Sequence, residues 1–135
     1  MDFDFEWYNP SIGTPMISLA GYGITFSRSA VNTMRTPAYV KLGFDKQRKL
    51  VGIMVCGKED KNKFEFANRE KNNNVRINSR DFIRLISSYM PDLIPNDNTT
   101  VRFTGVWDEK EGIMTIDLTA PLKSENNEDN FDDAE

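Results

Sequence analysis

Ile24-Thr25-Phe26-Ser27 and, at an offset of 51, Val75-Arg76-Ile77-Asn78 are the stretches from which the fold is read. Apolar and polar residues alternate in both, the period-two pattern of a strand with one buried face. A residue able to cap a helix follows each: Ser27 in the first, Asn78 or Ser79 in the second. Such side-chain oxygens accept from the backbone N–H groups that open a helix. The first helix is predicted over Arg28–Arg35, with Ala30, Val31 and Met34 inward, and Thr36-Pro37 ends it. The second is predicted over Arg80–Met90, where Phe82, Ile83, Leu85, Ile86, Tyr89 and Met90 form a broad apolar stripe.

Working outward, Met16–Leu19 reads as a strand that reaches the first stretch through the turn Ala20-Gly21-Tyr22-Gly23. Tyr39–Phe44 and Leu50–Cys56 form a hairpin around the polar turn Asp45–Lys49. Leu50–Cys56 is apolar except for Gly52, which suits a strand buried on both faces. Val101–Trp107 and Ile113–Leu118 form a second hairpin, in which Asp108 matches Asp45 and Ile113 matches Leu50 at an offset of 63. The order strand, strand, short helix, hairpin therefore occurs twice, over residues 16–56 and 63–118. The expected fold is α+β, a small β-barrel-like domain built from two pseudo-repeated units over residues 16–122.

Composition bounds the function. The chain has 135 residues, no histidine, one cysteine (Cys56) and a formal net charge of −4. Histidine catalysis, an intrachain disulfide and a cysteine-cluster metal site are excluded, and no cofactor or metal is expected. No apolar run is long enough to span a membrane, and the acidic, aromatic start is not a secretory signal, so a cytoplasmic location is expected. Charge is segregated. Residues 1–10 carry three acids and no base, and residues 123–135 carry six acids and one base. The remaining body, residues 11–122, holds 16 bases against 12 acids. Residues 1–15 read as an acidic, aromatic arm, with Phe3, Phe5 and Trp7 at alternate positions. Residues 123–135 read as a disordered acidic tail, with too little apolar surface to offset its ordering entropy. Such a tail either keeps a domain dispersed or competes with an anionic partner for the basic body.

Arg76, Arg80 and Arg84 are the bases most suggestive of chemistry. Arg80 and Arg84 are four apart on one helix and share a face. Guanidinium groups clustered at a helix start suit phosphate contacts, although the same spacing also describes a solvated helix face. Arg28, Arg35 and Lys41 hold comparable places in the first unit. Asp108, Glu109, Glu111 and Asp117 lack a calcium-loop spacing and read as a solvated hairpin.

The repeated unit resembles the swapped-hairpin barrel of AbrB-type regulators, in a tandem arrangement like that of the MraZ family. The likeness rests on Ile24-Thr25-Phe26-Ser27, Ala30, Met34 and the hairpin from Val40 to Val55. Where that family carries a Gly-Arg pair, this chain carries Tyr22-Gly23 and Asn73-Asn74. The resemblance implies a non-enzymatic, DNA-binding transcription regulator, a monomer or homodimer, with double-stranded DNA as partner. Arg28, Arg35, Lys41, Arg76, Arg80 and Arg84 are then the expected DNA contacts. The alternative is a protein-interaction or assembly factor that docks a partner through Phe3, Phe5 and Trp7.

Overall fold

Strand β1 (Met16–Ala20) turns back through Gly21-Tyr22 into β2 (Gly23–Phe26), and β2 runs directly into helix α1 (Arg28–Thr33). A computed structural model describes residues 3–5 and 13–122 of the chain. Ser27 joins these elements, because its Oγ accepts from Ala30 N at 3.2 Å and from Met16 N at 3.1 Å. One hydroxyl thus caps the helix and anchors the start of β1. Arg35 and Thr36, both at positive φ, turn the chain away after α1. The hairpin β3 (Tyr39–Asp45) and β4 (Leu50–Cys56) follows, then the short strands β5 (Phe64–Glu65) and β6 (Glu70–Lys71). Strand β7 (Asn74–Asn78) leads into α2 (Arg80–Tyr89), whose cap is Ser79, accepting from Phe82 N at 3.3 Å. Strands β8 (Thr100–Thr104), β9 (Val106–Asp108) and β10 (Ile113–Asp117) complete the described fold.

The strands form two five-stranded antiparallel sheets. The first has the order β6-β7-β2-β1-β8 and the second β5-β3-β4-β10-β9. At the centre of the first, β2 pairs with β7, Ile24 opposite Ile77 and Phe26 opposite Val75. In the second, β4 pairs with β10, Ile53 opposite Met114 and Val51 opposite Ile116. All eight of these side chains are buried in one core that both sheets share. Burying a side chain of this size contributes about 1.5–3 kcal/mol relative to exposure. Phe26 meets Phe66 edge to face, ring centroids 5.0 Å apart. Ala30 and Val31 of α1 and Ile83 and Ile86 of α2 add to the same cluster.

Three expectations need correction. The expected barrel is not formed. The fold is α+β, but both sheets are open, with edges at β6 and β8 in the first and at β5 and β9 in the second. The edge strand β8 does not close its own sheet; the chain leaves it through Gly105 and joins the other sheet as β9. A Cβ at Gly105 would sit 2.6 Å from Met114 Sδ and 3.3 Å from Ile17 Cδ1, so a side chain at this crossing would have to displace Met114. The predicted strand Val101–Trp107 is consequently two strands. Finally, Leu50–Cys56 is buried on one face only, through Val51 and Ile53, while Val55 is exposed and Leu50 and Met54 are half-buried. Among the described residues, no helix is long and apolar enough to cross a membrane.

Candidate functional site

Directly opposed residues of antiparallel strands project to the same face. In the first sheet, Ser18 lies opposite both Thr25 and Arg102, and Thr25 lies opposite Arg76. One row therefore crosses four strands on the outward face: Arg102, Ser18, Thr25, Arg76. With strands ~4.8 Å apart, the two arginines are based about 14 Å from each other. The hydroxyls of Ser18 and Thr25 lie between them.

The β1–β2 turn organises one end of this row. Tyr22 and Thr25 share a hydrogen bond between hydroxyls at 3.1 Å. The Arg76 guanidinium lies 4.2 Å from the centre of the Tyr22 ring. Stacking on the ring restrains the guanidinium while leaving its N–H edge free to donate. Gly23 brings the turn close to β7: at φ +150°, a Cβ there would overlap Ile77 O and lie 2.8 Å from Ser79 N. Ser79 N in turn donates to Tyr22 O at 2.9 Å.

The face is basic because its four longer strands lack acids; the short edge strand β6 carries Glu70, opposite Val75, beside Lys71. Met16–Ala20, Gly23–Phe26, Asn74–Asn78 and Thr100–Thr104 contain no Asp or Glu. Arg76 and Arg102 are exposed, and neither forms an ion pair among the described residues. Lys71, opposite Asn74, adds a third base beside β7. An acid does approach the turn itself: Asp97 Oδ1 would lie 2.8 Å from a Cβ on Gly21.

Of the six bases expected to contact DNA, three are held in ion pairs. Arg84 pairs with Asp81 at 2.9 Å, Arg35 with Glu109 at 2.7 Å and Lys41 with Asp60 at 3.0 Å. The hydrogen bond from Lys41 to Asp60 raises the ammonium pKa. Asp60 is held below the usual carboxylate range by donation from Asn62 N and then from Lys41. Glu109 is lowered first by the Trp107 indole N–H and also by Arg35. Arg28 and Arg80 open the two helices. Because β2 and β7 are antiparallel, those helices leave opposite ends of the pair. Of the six, Arg76 alone lies in the outward row.

The remaining candidates are separate from this face. Phe3 and Phe5 stack at 5.2 Å and are 67% and 59% exposed; residues 3–5 are not in a strand. Trp7 and residues 123–135 lie outside the described residues. In the second hairpin, Asp108 Oδ1 accepts from Glu111 N and Asp117 Oδ1 from Thr119, both stabilising turns.

Nothing local in the sequence marks Ser18 or Arg102 as site residues, and Tyr22 and Thr25 read there only as parts of a turn and a strand. Their alternation within strands is local, but their alignment depends on the order β8-β1-β2-β7. The lack of carboxylates in all four segments was the available signal.

Comparisons with protein-family models, curated proteins and solved structures find no match to this chain. Together with the open sheets, this overturns the resemblance to AbrB-type barrels. The DNA-binding regulator inferred from that resemblance, with duplex DNA as its partner, goes with it.

Proposed function

We propose that this chain is a binding module that takes extended acidic peptide segments across the outward face of its first sheet. The observation that supports this reading most is the acid-free row in which two unpaired arginines flank two hydroxyls. An extended peptide rises ~3.3 Å per residue, so carboxylates about four residues apart match the spacing of Arg102 and Arg76. Arg76, restrained on Tyr22, loses less freedom on binding than an unrestrained side chain. One feature favours a peptide over nucleic acid. The one aromatic ring identified on the face, Tyr22, is already covered by a guanidinium and offers no free platform for stacking bases.

The test is fluorescence anisotropy of fluorescein-labelled hexaglutamate with the full chain. Binding is expected to weaken as salt rises. The double variant Arg76→Ala/Arg102→Ala should weaken it by about fivefold to tenfold, the sum of two exposed charge contacts. Lys41→Ala, on the other sheet, should leave it unchanged. Tighter binding of a labelled single-stranded oligonucleotide than of the peptide would overturn the peptide reading, as would full affinity in the double variant.

A further inference from the structure

The described chain ends beside the proposed site. Leu122 N donates to Arg102 O at 2.8 Å, so the backbone at residue 122 runs alongside β8, at the arginine that bounds the row. The sequence then continues with six acids in residues 124–135 and no base. We infer that the acidic segment 124–135 is an intramolecular ligand of the outward face of the first sheet and competes there with acidic peptides from other proteins. This rests on the reading of that face as a peptide site and adds its regulation.

Reach, spacing and charge agree. Twelve extended residues span about 40 Å, more than the ~20 Å across five strands. Glu125 and Asp129, Glu128 and Asp132, and Asp129 and Asp133 are each four apart. In an extended chain that is about 13 Å, the interval between the bases of Arg102 and Arg76. The segment therefore has three registers in which carboxylates meet both arginines. Several equivalent registers let the contact exchange among them, as suits an internal competitor. A short tether supplies an effective concentration of the order of millimolar, so even a weak self-contact lowers the apparent affinity for an external peptide.

The test uses the full chain with the segment neutralised in place: E125Q/E128Q/D129N/D132N/D133N/E135Q. The first readout is NMR of the backbone amides and arginine Nε–H groups. Resonances of Ser18, Thr25, Arg76 and Arg102 should shift between the native and neutralised chains, independently of protein concentration. High salt should move the native chain towards the neutralised positions. Unchanged resonances overturn the inference. Concentration-dependent shifts also overturn it, because they assign the segment to a second copy. The second readout is hexaglutamate affinity, which should rise about threefold to tenfold on neutralisation by relief of tethered competition. Equal affinity for both chains, with unmoved resonances, would reject the internal ligand and leave the peptide site standing. Shifted resonances with no hexaglutamate binding to either chain would keep the internal contact and reject the external-ligand reading. No shift and no binding would reject both.

Discussion

The two sheets turn matching inner faces towards one core and unlike outer faces away from it. On the first, the outward row is arginine, serine, threonine and arginine, with no acid in its four longer strands. On the second, Gly43 lies opposite Gly52, Lys41 opposite Met54, and Val106 opposite Thr115. There the charges are largely occupied. Lys41 is bound to Asp60, Arg48 to Asp45 at 3.0 Å, and Arg35 to Glu109 beside the β9–β10 turn. Exposed pairs of this kind contribute little to stability, but their charges are partly neutralised before any ligand arrives. The difference teaches that core packing leaves the outward positions of a strand free, and that a base becomes available for binding where neighbouring strands lack acids.

The largest effects concern what the sheets share. Phe26→Ala in the first sheet should cost about 3–5 kcal/mol, and Ile53→Ala in the second about 2–5 kcal/mol. Both should shift one cooperative urea transition. Two separate transitions, one sensitive to each variant, would show that the sheets do not rely on a common core and would break the comparison at its root.

A smaller effect separates glycines at the margins of the two outward faces. Gly23→Ala should destabilise by about 1–3 kcal/mol, because it combines positive φ with a clash against Ile77 O. Gly43 has nothing within 4 Å of an added Cβ. Gly43→Ala should therefore be neutral or stabilise by about 0.5 kcal/mol, the usual advantage of alanine over glycine within a strand. Equal losses in thermal melts would mean that the β1–β2 turn is no more tightly held than the middle of β3.

The smallest effect is electrostatic. Asp60 has a lowered pKa in the folded chain, so its contribution is present above the unfolded value and lost as pH falls through the folded one. Lys41 has a raised pKa, so its contribution is present below the unfolded value and lost as pH rises through the folded one. The difference in urea midpoint between the native chain and Lys41→Ala/Asp60→Ala should be largest at neutral pH and shrink towards acid and towards strong alkali. A difference that does not vary with pH would show that packing of the lysine stem, not charge, accounts for it.

Local elements were legible in the sequence because their causes are local. Ser27 and the alternation before it located β2 and α1, and the polar turn Asp45–Lys49 located the β3–β4 hairpin. What failed depended on contacts distant in sequence. The apolar run Leu50–Cys56 does not reveal that one of its faces lacks a covering layer. Val101–Trp107 keeps strand-like composition across Gly105, although the chain crosses between sheets there, with Met114 and Ile17 packed close against the glycine. Of the candidate site, Arg76 was visible as a base on a strand. Arg102 had no reason to be grouped with it until β1 and β2 were found between their strands.

The crossing at Gly105 also sets an order for folding. Met16 pairs with Thr104, and Met54 with Ile113, so each sheet waits for a partner from residues 100–117. A nascent chain shorter than this presents two unsatisfied edges at once, on β1 and on β4, and unpaired strand edges invite association between chains. Pairings so far apart in sequence are slow to form, because loop closure precedes the contacts that reward it. The segment that joins the sheets thus governs when the chain stops being vulnerable.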